Sequence, residues 1–435
     1  MNKLSVKFGI GSVVATVILI VSGCGASTSP KPKATPSGPV TISFMEAMSS
    51  GTLKPALEQL VAEFQAAYPK ITVNLIAEPS YSVLQQKEEA AIAAGNPPTI
   101  GQAYENWASS YASSKAIIPL ASFVNGANGI TAAQKSKFWT GIWKDLYLPD
   151  GKIWMWPFNK SDFVMYYNSN RLSADGVSVP TTWSQFATAA RTVTKGGDWG
   201  LSMDPGSSTG PANGTEFYMS LIEAYGGHWI VNGKPDFDSP AAIQAATYLQ
   251  SLVKAGAVKV GTNYPGQTAM GAGRSAFDLS TIASYGYNMA AIGGKFPMGV
   301  AAFPSGPGGQ GNALEGTNIV IFSDATTAQR DAGWTFMKWL TEPGQTAYWA
   351  EHTGYLPVTE AALPLMTSYD SSHPYQEIAA KSLDYATGTP PYGWWTQASG
   401  ELASALESIL INNVSPSSAL KTAQQQALAA EASAG

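Results

Sequence analysis

Residues 40–76, VTISFMEAMSSGTLKPALEQLVAEFQAAYPKITVNLI, decide the fold because they contain a strand, a helix and a second strand in that order. Residues 41–45 have the β-branched and aromatic character of a strand, and residues 71–76 resume it after Pro69. Alternating strands and helices predict an α/β fold with a mostly parallel sheet, whose ligands bind at loops beyond the carboxyl ends of the strands. The first helix is predicted from apolar residues at helical spacing: Leu53, Leu57, Leu60, Val61 and Phe64.

The same patterns predict further elements along the chain. Asp324 is expected to cap a helix that runs through Leu340, and the C-terminal part of the chain predicts helices with interruptions. The other predicted elements are a helix over 82–94, tight turns at 150–151 and 232–233, and strands over 299–303 and 318–322. The roughly 395 residues from Val40 onward exceed the size at which one core keeps growing, so two domains are expected.

The N-terminus predicts an export signal with a lipid anchor. A short basic segment precedes the apolar run of residues 8–21, which has the length of a signal-peptide core and is short for a membrane span. Small residues then lead into Cys24, so residues 1–23 are predicted to be a lipoprotein signal peptide and Cys24 the lipidated residue. Residues 24–39 are interpreted as the anchored cysteine and a flexible tether. The alternative is an ordinary signal peptide with an incidental cysteine.

Composition excludes several classes of protein. Charged residues are 13% of the chain, against about 25% in a typical soluble domain, and no concentrated basic region supports nucleic-acid binding. A single cysteine rules out an internal disulfide framework. Since His228, His352 and His373 have no metal-ligand spacing to another His or Cys, no metal and no cofactor are expected.

Two short motifs with catalytic associations are interpreted as chance matches. Residues 306–311 fit G-x-G-x-x-G, but they lead into a predicted strand and contain Pro307, whereas a dinucleotide fingerprint opens a helix. Residues 206–210 fit G-x-S-x-G, but no buried strand precedes them. A pair of carboxylates that meet in space, as in a glycosidase, stays open.

Several segments, taken in order, resemble family 1 extracellular solute-binding proteins of ABC importers, the group that includes maltose- and glycerol-3-phosphate-binding proteins. The glycerol-3-phosphate and sugar-binding branch is the most similar. These segments are 64–73 (FQAAYPKITV), 90–100 (AAIAAGNPPTI), 150–157 (DGKIWMWP), 164–168 (VMYYN), 353–358 (TGYLPV) and 415–420 (SPSSAL).

The resemblance implies a two-lobed, type II, maltose-binding-protein-like fold with three crossings between the lobes. One lobe would comprise residues 40–157 and 303–345, and the other residues 158–302 and 346–435. Ligand would lie in the cleft between the lobes, which close like a hinge.

The resemblance also implies ligand-binding positions. The first lobe would contribute Tyr81 and Glu105, and the second lobe would contribute Ser161, Tyr355 and either Ser280 or Thr281. Gly316 would present its backbone to the cleft. A polyol offers hydroxyls that donate and accept, so hydroxyl and carboxylate side chains suit it.

One departure from the branch bears on the ligand. The branch holds a phosphate with an arginine in its C-terminal segment, where this chain has Trp394 and Trp395. Two tryptophans cannot neutralise a phosphate but can stack on a sugar, and Trp107 beside Glu105 adds another stacking face. The predicted ligand is therefore a neutral mono- or oligosaccharide.

The sequence thus predicts a lipid-anchored, monomeric receptor on the extracytoplasmic face of a bacterial membrane. Its partners would be a small carbohydrate and the transmembrane subunits of an ABC permease, and it would catalyse nothing. The alternatives are the same role with glycerol-3-phosphate or a glycerophosphodiester, held by a lysine or a helix N-terminus, an extracellular carbohydrate-active enzyme, and a surface polysaccharide-binding module.

Overall fold

The computed structural model describes residues 38–206 and 214–434. The predicted signal peptide, Cys24 and the tether up to residue 37 lie outside the described residues, as do residues 207–210 of the G-x-S-x-G match. In the described part of the chain, no helix is both long enough and apolar enough to cross a membrane.

Eleven strands are described. They are β1 Val40–Glu46, β2 Ile71–Ala77, β3 Ile100–Ala103, β4 Trp156–Asn168, β5 Trp199–Met203, β6 Ile230–Val231, β7 Lys234–Pro235, β8 Val258–Val260, β9 Ser275–Thr281, β10 Met298–Ala302 and β11 Leu314–Ile321.

Eighteen α-helices are described, together with three short 3-10 turns. The helices are α1 Leu53–Ala67, α2 Tyr81–Ala93, α3 Glu105–Ser113, α4 Ala121–Val124, α5 Ala132–Lys135, α6 Thr140–Asp145, α7 Ser169–Ala174, α8 Trp183–Thr192, α9 Gly214–Ala224, α10 Pro240–Lys254, α11 Pro265–Gly271, α12 Tyr285–Ile292, α13 Thr327–Leu340, α14 Pro343–Thr353, α15 Leu363–Ser372, α16 Tyr375–Ala380, α17 Trp395–Leu410 and α18 Pro416–Ser433.

The main sheet runs in the order β2-β1-β3-β11-β4-β9-β5-β8, and β10 also pairs with β4. Both ends of the sheet are parallel, because β1 pairs with β2 and β3 in parallel and β5 pairs likewise with β8 and β9. The middle is antiparallel: β11 pairs with β3 and β4, and β4 pairs with β9 and β10. The prediction of a mostly parallel sheet is therefore correct at each end of the sheet and wrong in its centre.

The strand–helix–strand unit predicted from residues 40–76 is confirmed. β1 and β2 pair in register from Val40 with Ile71 onward, and α1 buries the predicted apolar stripe against the sheet. The cores that form on this frame are two large clusters of buried apolar side chains. One cluster includes Phe44, Phe64 and Trp156, and the other includes Trp183, Phe277 and Trp395.

Two local signals elsewhere have different outcomes. Asn232 and Gly233 adopt positive φ and connect β6 to β7, as the hairpin prediction requires. The predicted N-cap Asp324 is wrong, since Thr326 caps α13. The Thr326 hydroxyl accepts from the Gln329 amide, and the Gln329 side chain accepts from the Thr326 amide, which is a capping box.

Gly316 lies in β11 at a position that only glycine can fill. Its φ is +84°, and an added Cβ would lie 1.7 Å from the carbonyl oxygen of Asn159 on β4. The register between β11 and β4 shifts immediately afterwards, between Thr317 and Asn318. Gly316 therefore lets the two central strands approach closely where the ladder is irregular.

We expect Gly316→Ala to lower the free energy of unfolding by about 3 kcal/mol, because the methyl group adds a clash to an unfavourable φ. Urea denaturation followed by tryptophan fluorescence measures the change. Gly344→Ala is the matched control, since Gly344 lies in α14 and no atom is within 4 Å of its added Cβ. The control should be neutral or slightly stabilising, and equal losses for the two variants would contradict the argument.

Candidate functional site

A cavity of ≈ 510 Å³ lies where β1, β4, β9 and β11 meet the first turns of α2 and α11. Ten of its eighteen lining side chains carry a hydroxyl group, so the wall offers many groups that both donate and accept hydrogen bonds. The lining residues are Ala47, Met48, Ser50, Leu53, Pro79, Ser80, Tyr81, Tyr104, Ser161, Tyr264, Gln267, Thr281, Ala283, Ser284, Tyr287, Glu315, Gly316 and Tyr355.

Two of the lining tyrosines are fixed by a polar network. The hydroxyl of Tyr81, the first residue of α2, accepts from Asn159 Nδ2 at 2.7 Å and lies 3.3 Å from the hydroxyl of Tyr355. The Tyr355 ring stacks on Trp349 of α14. Burial raises the pKa of the Tyr81 hydroxyl well above its usual range, and Tyr355 adds to the shift. Both hydroxyls are therefore uncharged hydrogen-bonding groups at neutral pH.

Ser161 and Glu315 reach the cavity from adjacent central strands. They are direct partners in the antiparallel ladder between β4 and β11, so their side chains stand side by side on one face of the sheet. Glu315 is only 5% exposed. Its Oε1 has no hydrogen-bond partner among the described residues.

The surroundings of the Glu315 carboxyl favour its uncharged form. Burial raises its pKa well above the usual range, and the carboxylates of Glu216 and Glu105 raise it further against the opposing effect of Lys160. A protonated carboxyl can donate one hydrogen bond and accept others. Glu315 is therefore a hydrogen-bonding group on the wall that carries no positive charge.

The end of β9 places Ser280 and Thr281 differently. Thr281 lines the cavity, whereas the Ser280 hydroxyl donates to Asp278 Oδ2 at 3.0 Å and borders an adjoining cavity of ≈ 40 Å³. Successive residues of a strand point to opposite faces, so only one of the two can face the larger space.

Glu105 belongs to a buried ionic network rather than to the cavity lining. Lys160 is fully buried, and its Nζ lies 3.1 Å from Glu105 Oε1 and 2.6 Å from Asp145 Oδ2. Asn318 Nδ2 donates to the same two carboxylate oxygens at 2.7 and 2.9 Å. Burial raises the pKa of Glu105, and the nearby carboxylate of Asp145 raises it further. Lys160 lowers the pKa of Glu105, but the net change is a rise. One ammonium group thus serves two carboxyl groups, one of which can hold a proton.

The three tryptophans singled out in the sequence do not line the cavity. Trp395 packs against Phe237 in a hydrophobic core, and Trp394 stacks on Tyr392. Trp107 contacts the ring of Tyr104 edge-on at 5.1 Å, so it supports a lining residue from behind. Of the ten predicted ligand contacts, the cavity brings together five: Tyr81, Ser161, Thr281, Gly316 and Tyr355. Their contact with ligand stays a prediction.

Eight polar lining residues are not among the predicted ligand contacts: Ser50, Ser80, Tyr104, Tyr264, Gln267, Ser284, Tyr287 and Glu315. Tyr104 immediately precedes Glu105, and Glu315 immediately precedes Gly316, so each adjoined a predicted position. Tyr264 carried a weaker signal, as an aromatic residue before a proline in a polar segment.

The charge of the lining is one-sided. Among the described lining residues none is Lys, Arg or His, and the only acidic one is Glu315. Within residues 38–206 and 214–434, no group of three or more His, Cys, Asp and Glu side chains could hold a metal ion.

A family model described as bacterial extracellular solute-binding protein matches residues 59–377. The amino-acid sequence of the chain is similar to that of the sn-glycerol-3-phosphate-binding periplasmic protein UgpB of Salmonella paratyphi A. The two are 25% identical across 89% of this chain and 91% of that protein.

Two solved structures are similar in fold. UgpB from Mycobacterium tuberculosis, in complex with glycerophosphocholine, has a TM-score of 0.80 and 20% identity over 91% of this chain and 99% of that one. The cyclic alpha-maltosyl-1,6-maltose binding protein from Arthrobacter globiformis has a TM-score of 0.78 and 21% identity over 90% and 99%. These similarities confirm the predicted fold class, the two-lobed, maltose-binding-protein-like α/β fold. The residue bounds of the two lobes stay a prediction.

We expect Lys160→Met to lower the free energy of unfolding by about 3–5 kcal/mol, because it leaves two buried carboxyl groups without their cation. Urea denaturation at pH 7 measures the loss. Lys54→Met is the matched control, because the Lys54–Glu58 pair is exposed and 3.9 Å long, and such pairs contribute about 0–1 kcal/mol. Similar losses in both variants would show that the Lys160 network does not stabilise the fold as described.

Proposed function

The chain belongs to the bacterial extracellular solute-binding protein family, and we propose that it is the receptor of an ABC importer that captures a neutral mono- or oligosaccharide. Ligand contacts groups from both lobes only when they close around it, so binding shifts the population toward the closed form. The closed form is then presented to the transmembrane subunits of the permease. A dissociation constant near micromolar, about −8 kcal/mol, suits a receptor that must also release its ligand.

The observation that carries this proposal is the polarity of the cavity wall. Hydroxyl groups dominate it, and no described lining residue is cationic. A phosphate is held in proteins by charge-assisted bonds from arginine or lysine, whereas a sugar needs neutral donors and acceptors beside apolar faces. The Glu315 carboxyl, whose pKa is raised by burial, and the paired hydroxyls of Tyr81 and Tyr355 supply such groups.

A glycerophosphodiester is the second candidate, and one feature favours it. Ser80 and Tyr81 line the cavity at the N-terminus of α2, where backbone amides and the helix dipole can bind an anion. The names of the similar proteins divide in the same way, since one refers to sn-glycerol-3-phosphate, one to glycerophosphocholine and one to a maltose-type sugar.

The remaining parts of the proposal concern location and partners. We propose that residues 1–23 are removed as a signal peptide, that Cys24 is lipidated, and that the monomeric receptor is tethered to the extracytoplasmic face of the membrane. The lobes would comprise residues 40–157 with 303–345 and residues 158–302 with 346–435. The ligand would be bound and released unchanged, without catalysis.

Isothermal titration of the body from Val40 onward tests the ligand class. We expect micromolar binding of a neutral sugar with an affinity that changes less than about twofold between about 50 and 500 mM salt, because no ion pair is formed. Glycerol-3-phosphate and glycerophosphocholine are the matched anionic probes. Micromolar binding of either, weakening with salt, would retain the receptor and overturn the neutral-sugar proposal, while conversion of an oligosaccharide into new products would favour an enzyme.

Substitutions of Glu315 test its assigned role as an uncharged hydrogen-bonding group. Glu315→Gln should bind the best neutral sugar within about threefold of wild type, because an amide also donates and accepts. Glu315→Ala should bind about tenfold more weakly, since one hydrogen bond contributes about 1 kcal/mol and its loss leaves a ligand hydroxyl unpaired. If Glu315→Gln loses as much affinity as Glu315→Ala, the ligand requires the ionised carboxylate.

A further inference from the structure

Tyr264 is a lining residue with a largely exposed side chain. It is 57% exposed and borders both the ≈ 510 Å³ cavity and the adjoining ≈ 40 Å³ cavity. Among the described residues it makes no ring–ring contact and no side-chain hydrogen bond. Tyr81, Tyr104 and Tyr355, by comparison, are each packed against another aromatic ring.

The backbone of Tyr264 is strained. Its φ is 55° and its ψ is 53°, the left-handed conformation, and Asn263 before it also has a positive φ of 58°. Asparagine tolerates this conformation, but a bulky aromatic residue adopts it only at a cost in free energy. Strain of this kind persists where surrounding structure imposes it, and it is concentrated at ligand-binding positions.

In the described part of the chain, no ring–ring contact or side-chain hydrogen bond of Tyr264 offsets this cost. Tyr264 belongs to none of the buried apolar clusters, and its side chain does not cap α11. Its carbonyl accepts the first hydrogen bond of that helix, from Thr268, but any residue, including glycine, supplies a carbonyl. The identity of the side chain is therefore unexplained by folding.

The neighbours of Tyr264 on the wall suit a flat, hydroxylated ligand. Gln267 follows three residues later, one turn of α11 further on, and both residues line the same cavity. Thr281 and Ser284 line it as well. An aromatic face beside a planar amide and two hydroxyls can bind a sugar ring, whose C–H groups pack on the aromatic face while its hydroxyls bond the polar groups.

We propose that Tyr264 is the stacking surface for a sugar ring, so that the site selects cyclic sugars over open-chain polyols and glycerophosphodiesters. This inference rests on the proposed function and narrows it. An open-chain ligand has the hydroxyls but no rigid apolar face, so an aromatic surface stabilises its complex less.

The test compares Tyr264→Phe, Tyr264→Gly and Asn263→Gly. The probes are hexopyranoses and disaccharides (glucose, galactose, mannose, maltose and trehalose) together with sorbitol, mannitol and maltitol, and the readouts are titration calorimetry and Tm. Tyr264→Gly removes the ring and relieves the strain together, so Tm should stay equal or rise while affinity for the best cyclic sugar falls about tenfold. Tyr264→Phe should bind within about threefold of wild type, and Asn263→Gly should bind as wild type with an equal or higher Tm.

Open-chain polyols report on ring selectivity. Tyr264→Gly should weaken binding of the corresponding alditol less than about threefold, because its flexible chain makes little use of the aromatic face. Three results for Tyr264→Gly would each overturn the inference. They are an affinity for the best cyclic sugar within about twofold of wild type, equal losses of affinity for sugar and alditol, and a Tm lowered by several degrees. Wild-type protein that binds none of these neutral probes would refute the proposed function, and with it this inference, whereas the preceding outcomes refute the inference alone.

Discussion

The ammonium group of Lys160 is the constraint around which the centre of the molecule is arranged. A buried charge is costly unless it is paired and hydrogen-bonded, and the partners of Lys160 come from α3, from α6 and, through Asn318, from β11. Elements far apart in sequence must therefore meet at one point of β4. Ser161, the next residue on β4, and Glu315, its partner on β11, are positioned at the cavity by the same strand pairing.

This arrangement also explains the electrostatics of the cavity. Lys160 lies next to the lining residue Ser161 in the chain, and its buried ammonium group donates to Glu105, to Asp145 and, at 3.5 Å, to the carbonyl oxygen of Gly316. What remains at the surface of the cavity is hydroxyl-rich, with a carboxyl group whose pKa is raised by burial. Because the positive charge is paired inside the fold, no described lining residue offers a cationic side chain to a ligand, which supports the neutral ligand that we propose.

The sequence predicts what depends on local patterns and misses what depends on distant partners. The elements from Val40 to Ala93 follow from periodicity and turn residues, whereas the antiparallel centre of the sheet brings together strands that no local signal connects. Glu105 is indicated only by the family resemblance, and its partners Lys160 and Asn318 lie 55 and 213 residues away along the chain. The sequence likewise allows Trp394 and Trp395 to lie either in a ligand cleft or in the hydrophobic core. Only tertiary packing places them in the core.

In the proposed receptor, two parts of the cavity wall would contribute differently to ligand recognition. Tyr81, Asn159 and Tyr355 already bond one another, so these groups are ordered before ligand arrives and lose little entropy on binding. Tyr264 is restricted in a different way, since its backbone conformation limits where the ring can lie while its exposed ring has no ring–ring contact or hydrogen bond that must be broken. A ligand that stacks on Tyr264 and hydrogen-bonds the tyrosine network would join two sets of elements, and the free energy of that bridging interaction is what can favour closure.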